Sequence, residues 1–205
     1  MIIEMRSYDL RPASVAAVEE RFAASLPART QLSPLAAFWH TEIGPLNRVI
    51  HVWTYADLAE RTCIRAEATK LANWPPPISE YIASMTSEIF LPAPFSPPLE
   101  PRALGAVYEI RSYTMAAGQM PGMIERWSDK IAERVKLSPL VGAWYSELGA
   151  LNKWVHIWAY KDAAERQRVR AEAVAKGVWP PGSPPGAMVK QENMLVVPAA
   201  FSPLH

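Results

Sequence analysis

One cysteine in 205 residues, Cys63, leaves no internal disulfide to staple the fold. No block of Lys or Arg occurs and the formal net charge is +1, so neither nucleic acid nor an anionic membrane is expected as a partner. No apolar run reaches the roughly 18 residues of a membrane-spanning helix. The first residues enter a strand-like pattern directly, without a charged n-region and apolar h-region, and a cytoplasmic protein is expected. There is no Ser-His-Asp order, no phosphate-cradling glycine loop and no dinucleotide fingerprint. No second His or Cys stands at ligand spacing from another, so no metal and no cofactor is expected.

What the chain does contain is itself, twice. Glu4-Met5-Arg6-Ser7-Tyr8 returns as Glu109-Ile110-Arg111-Ser112-Tyr113, and Leu32-Ser33-Pro34-Leu35 as Leu137-Ser138-Pro139-Leu140. The same offset carries Trp39, Glu42, Gly44, Leu46 and Asn47 onto Trp144, Glu147, Gly149, Leu151 and Asn152. It then carries His51, Trp53 and Tyr55 onto His156, Trp158 and Tyr160. From Glu4 to Trp74 no gap is needed, and roughly 28 of about 71 positions are identical. The register slips by one near the end, where Phe95-Ser96-Pro97 answers to Phe201-Ser202-Pro203. A period this long is the size of a small domain, not of a solenoid unit. Residues 1–97 and 107–205 are therefore read as two copies of one domain, joined by a linker at 98–106. Cys63 faces Arg168 across the repeat, which speaks for a small helical side chain over a shared catalytic thiol.

Each copy opens with an alternating strand, Ile2 to Leu10 and Val107 to Met115. A helix is expected from Pro12 to Gln31 and from Pro121 to Lys136, with proline in the first turn. Two strands follow around a Gly turn, Leu35 to His40 and Asn47 to Tyr55. Asp57-x-x-Glu60 and Asp162-x-x-Glu165 then announce capped helices running to about Asn73 and Gly177. A last strand, Ser87 to Leu91 or Asn193 to Val197, closes the unit. The order βαββαβ is ferredoxin-like, an α+β class with an antiparallel sheet and both helices on one face.

Strand parity sorts the side chains. Ile3, Met5, Ile50 and Val52 share one face; Glu4, Arg6, Tyr8, His51, Trp53 and Tyr55 share the other, which holds nearly every residue identical between copies. The apolar face is the expected seat of the helices. The polar-aromatic face would be bare unless the two sheets cover each other, so two ferredoxin-like domains packed sheet to sheet as an intrachain α+β barrel are expected, with those residues inside.

At these residues the chain resembles the NIPSNAP family, within the wider group of dimeric α+β-barrel proteins. The resemblance rests on Tyr108-Glu109-Ile110-Arg111-Ser112-Tyr113, Ser33-Pro34-Leu35, Glu42-Ile43-Gly44-Pro45-Leu46-Asn47, His51-Val52-Trp53-Tyr55 and Pro94-Phe95-Ser96-Pro97, and covers nearly the whole chain. Ala150 departs from the pattern set by Pro45. The resemblance implies the fold and a barrel cavity and brings no settled reaction. Relatives with the same barrel include cofactor-independent monooxygenases and haem-binding enzymes, an analogy of fold alone.

His51 and His156 are the catalytic candidates, since a neutral imidazole can serve as a general base or an iron ligand; the plainer alternative is a histidine satisfied inside a polar interface. Glu4 with Arg6 and Glu109 with Arg111 either orient a substrate carboxylate or a catalytic base, or satisfy one another across the sheets. The ligand-binding candidates are Arg6, Tyr8, Trp39, Asn47, His51 and Trp53 with their counterparts Arg111, Tyr113, Trp144, Asn152, His156 and Trp158. Asn47 has a second reading as a turn residue. Three functions stay open: a barrel binding a small aromatic or apolar molecule, an oxygenase- or isomerase-like enzyme, and an interaction module. A homo-oligomer of the two-domain chain is a further possible assembly.

Overall fold

The computed structural model describes Met1–His205. The first half runs β1 (Ile2–Leu10), α1 (Val15–Arg29), β2 (Leu35–Ile43), β3 (Arg48–Tyr55), α2 (Leu58–Ala68) and β4 (Ile82–Pro92). The second repeats it as β5 (Val107–Met115), α3 (Met120–Arg134), β6 (Leu140–Leu148), β7 (Lys153–Tyr160), α4 (Ala163–Ala175) and β8 (Met188–Pro198). This is the expected βαββαβ order in duplicate. Helix α2 is capped by Asp57, whose carboxylate accepts from the Glu60 N–H at 2.9 Å, and α4 repeats this with Asp162 and Glu165 at 2.7 Å. The returning Glu carboxylates accept from Ala56 and Lys161, one residue before the cap. No helix is long and apolar enough to cross a membrane.

The eight strands close into one antiparallel barrel in the order β1-β3-β2-β8-β5-β7-β6-β4. The halves are stitched edge to edge, β2 to β8 (Trp39 opposite Pro198) and β4 to β6 (Pro92 opposite Trp144). Each Phe-Ser-Pro tail then docks on the other half. Ser202 Oγ accepts from the Phe38 N–H at 3.0 Å and Ser96 Oγ from the Ala143 N–H at 3.1 Å. The Phe201 ring lies 4.9 Å from Phe38, and Phe95 stacks on Trp127 at 6.2 Å.

The barrel interior is the reverse of the face assignment made from parity. Ile3, Met5, Ile50 and Val52 of the first half meet Ile110, Val155 and Ile157 of the second, with Trp39, Phe90, Tyr108 and Trp144 filling the space between. An eight-stranded barrel is narrow enough for side chains to fill it, and apolar ones do so here without leaving buried charge unpaired. Glu4, Arg6, Tyr8, His51 and Trp53 therefore point outward, under the helices. Helix α2 shows why: Ala68 is its one buried residue, so it has no apolar stripe to lay on an apolar face. It supplies Arg61 and Arg65 to Glu4 instead.

Candidate functional site

Between the first half's sheet and its helices, β1 and β3 present a row of polar and aromatic side chains, and the helices answer with arginines. Glu4 is fully buried; one of its oxygens accepts from Arg6 at 2.9 Å, Arg61 at 2.6 Å and Ser87 at 2.7 Å. Burial alone would raise its pKa, but the Arg61 and Ser87 hydrogen bonds and the Arg6 charge outweigh it and hold the carboxyl at about 2. Arg6 reaches on to donate to the Tyr8 hydroxyl at 2.9 Å. At the neighbouring register position on β3, His51 is 1% exposed, and its Nδ1 accepts from the Trp53 indole N–H at 2.7 Å. An indole nitrogen can only donate, so His51 Nδ1 carries the lone pair and the neutral ring holds its proton on Nε2. Burial, reinforced by the Arg6 charge, lowers its pKa to about 3 and keeps it neutral. Nε2–H is buried with no hydrogen-bond partner, and the ring that carries it lies 4.8, 5.3 and 5.7 Å, centroid to centroid, from Tyr8, Phe22 and Phe38.

Arg29, the last residue of α1, is 2% exposed and has no carboxylate partner. Its guanidinium donates to Ser33 Oγ at 2.8 Å and to the Tyr55 hydroxyl at 3.1 Å, and lies 4.2 Å over the Trp53 ring. These groups enclose a cavity of about 490 Å³. Tyr8, Phe22, Arg29, His51, Trp53 and Tyr55 form its buried floor, while Arg65, Thr69, Ser79 and Met85 stand exposed at its rim. Trp74 leans over it, 6.0 Å from Phe22 and 6.1 Å from Trp53. The loop carrying Trp74 is tied to α1 by Arg21, which donates to the Pro77 carbonyl, to Glu80 at 2.7 Å and to Tyr81 at 2.9 Å.

The second half repeats the polar frame closely. Glu109 accepts from Arg111 at 2.8 Å and Arg166 at 2.6 Å, Trp158 donates to His156 Nδ1 at 2.8 Å, and Arg134 donates to Ser138 and Tyr160. The space is different. Trp127 takes the place of Phe22 and packs edge-on against His156 at 4.6 Å and Trp179 at 4.5 Å, so a larger ring stands where the first half has the cavity wall.

The NIPSNAP family profile matches the chain twice, over residues 3–97 and 108–203. The chain belongs to the NIPSNAP family. It is similar to human Protein NipSnap homolog 3A, 31% identical over 215 residues that cover 98% of this chain and 85% of that protein. The Dictyostelium discoideum Protein NipSnap homolog is 32% identical over 142 residues, covering 69% of this chain and 63% of its own. A solved structure of a putative monooxygenase from Fusobacterium nucleatum superposes with a TM-score of 0.67 over 97% of this chain and 92% of that one. At 8% identity that is a likeness of fold alone.

Within each NIPSNAP repeat, the structure brings together Arg6, Tyr8, His51 and Trp53, and likewise Arg111, Tyr113, His156 and Trp158. It separates the others. Trp39 and Trp144 lie inside the barrel, on the opposite side of the sheet from the histidines. Asn47 and Asn152 sit in the β2–β3 and β6–β7 turns with φ of +54°, a left-handed conformation that Asn tolerates, and their carbonyls accept from Leu10 and Met115. The cavity itself lies outside the barrel, against the helices, correcting the expectation of a polar-aromatic barrel interior. Arg29, Arg61 and Arg65 were missed, although each is identical to its counterpart Arg134, Arg166 or Arg170. The self-alignment holds that signal, but strand parity does not reach helix residues. Cys63 is exposed on α2 and takes no part.

Proposed function

We propose that the first half binds a small organic molecule with a flat apolar body in the cavity between its sheet and helices. The observation that carries this is the cavity itself: about 490 Å³, walled by Phe22, Trp53, Trp74 and Ile78, with Arg6, Arg29 and His51 converging on it. That size, an apolar wall and a few convergent polar groups are what a small-molecule site requires. Any chemistry at this site is restricted by His51. Its lone pair is engaged by Trp53, so it offers a hydrogen bond from Nε2 and cannot serve as a general base while that contact holds. An isomerase-like activity would draw on donation to a developing oxyanion, with proton abstraction by a group of the substrate or by water.

The second half supplies the test. Phe22→Trp reproduces the ring present at Trp127 and should fill the cavity while leaving the polar frame in place. Binding of naphthyl and other bicyclic aromatic compounds, followed by calorimetry and by quenching of Trp53 and Trp74 fluorescence, should weaken at least about tenfold in this variant. Equal binding by the wild type and Phe22→Trp would remove the cavity as the site.

A further inference from the structure

The geometry points to an organic anion as the ligand, with a carboxylate or enolate oxygen held among Arg6, Arg29, Arg65 and the Nε2–H of His51, and its flat body against Phe22, Trp53 and Trp74. This rests on the small-molecule reading above and adds the charge of the ligand. Three guanidiniums line the cavity, and no Asp or Glu is among its lining residues. The nearby carboxylate, Glu4, is fully buried and already shared by Arg6, Arg61 and Ser87, with Arg65 at 4.0 Å. Four positive charges around one negative charge leave a formal excess of three.

Two groups on the floor have donor capacity left over, as their counterparts Arg134 and His156 do, and in the first half a cavity of about 490 Å³ adjoins them. Arg29 is a buried cation whose partners are all neutral, the Ser33 and Tyr55 oxygens and the indole faces of Trp53 and Trp74, so a counter-charge beside it would be favoured. His51, 1% exposed, has Nε2–H as its single free polar atom, a buried donor with nothing to accept from it. Among the lining side chains the one buried polar atom without a partner is this donor; the second oxygen of Glu4, also without a partner, belongs to a residue outside the lining. A neutral apolar ligand would leave both groups as they are, and a cation would meet only like charge. A free phosphate ion would engage the arginines, but it would leave the aromatic walls of a 490 Å³ cavity uncovered. A planar carboxylate matches the guanidinium fork and leaves the apolar body to the walls.

The test uses the full chain and a set of aryl carboxylates, 2-naphthoate among them, each paired with its primary alcohol and its aminomethyl analogue, with inorganic phosphate as a separate probe. The carboxylates should bind at least tenfold tighter than the matched alcohols, the amines should not bind, and the carboxylate affinity should fall as salt is raised. Arg65→Gln, at the exposed rim, should reduce the carboxylate preference severalfold and leave the alcohols unchanged; Arg29→Lys tests the floor in the same way. Carboxylates binding no better than their alcohols, with both lost in Phe22→Trp, would overturn the anion assignment and leave the cavity as a binding site. Phosphate binding as tightly as the aryl carboxylates would also overturn it. No member of the set binding to the wild type would sink both readings together.

Discussion

Replacing Glu4 with Gln removes the one negative charge from the cluster of Arg6, Arg61 and Arg65 while keeping shape and hydrogen-bonding reach. The fall of its pKa from an ordinary 4.5 to about 2 means that the folded state favours the ionised form by about 3 kcal/mol, at about 1.4 kcal/mol for each pKa unit. The sign follows from the direction. Because the folded pKa is depressed, this stabilisation is fully present above pH 4.5 and is lost as pH falls toward 2. Glu4→Gln should therefore cost about 3 kcal/mol at pH 7, or roughly 6–12 °C in melting temperature for a chain of this size. The gap to wild type should narrow steadily below pH 4.5. Acid weakens both proteins by a second route as well, since His51 and His156 are buried neutral with depressed pKa values and take up protons more readily when unfolded, from about pH 6.5 downward. The His156 contribution is common to both proteins and cancels in the difference; that of His51 cancels until the pH nears its folded pKa of about 3, which the Glu4 charge itself helps to set. Urea titrations at pH 7, 5, 4 and 3 measure the difference. A gap below about 1 kcal/mol at pH 7, or one that stays constant down to pH 3, would refute the reasoning.

Two further outcomes follow from packing and charge. Gly142→Ala would place a methyl group 2.6 Å from the Trp144 indole inside the closed barrel, where neither can move aside, and should cost about 1–3 kcal/mol in the same titration. His40 Nδ1 lies 2.7 Å from Glu19, whose hydrogen bond raises the imidazole pKa above its ordinary 6.5. The pair should add about 0.2–1 kcal/mol below pH 6.5 and lose it as pH rises through the folded pKa, so the stability gap between wild type and His40→Gln should be larger at pH 5.5 than at pH 8.5.

Much of the architecture was legible because duplication shows which positions a fold holds fixed. The bounds of β1 and β5, the Asp caps and the βαββαβ order all came from short-range pattern, and sheet-to-sheet closure came from having two incomplete faces. The strand β4 begins at Ile82, five residues before the sequence suggests, because residues 83–87 are exposed and carry no apolar alternation; its pairing with β1 defines the strand there. Pro12 precedes α1 by three residues and does not open it, whereas Pro121 does stand in the first turn of α3. The larger miss was which face turns inward. Polarity of the strands alone cannot decide it, since both faces need a cover. The deciding information lay in α2, where Arg61 and Arg65 fall one turn apart on a helix with almost no apolar residues to bury.

The same duplication separates what the polar frame is for from what the cavity is for. Glu109, Arg111, Arg134, His156 and Trp158 keep the full set of contacts in the second half, where Trp127 packs against Phe95, Trp154, His156, Trp158 and Trp179. The frame thus holds a sheet to its helices with a larger ring packed against the histidine. In the first half a closely similar frame, with Ser87 in place of Asn193, surrounds Phe22, a smaller ring 5.3 Å from His51, and the loop bearing Trp74 is pinned above it by Arg21. Its counterpart Arg126 has Nε and one terminal nitrogen without partners. Close packing would favour filling the gap, and the second half carries a larger ring at this position. The open half keeps the smaller ring and the tethered loop together, the two features a cavity needs in order to stay open at a fixed size.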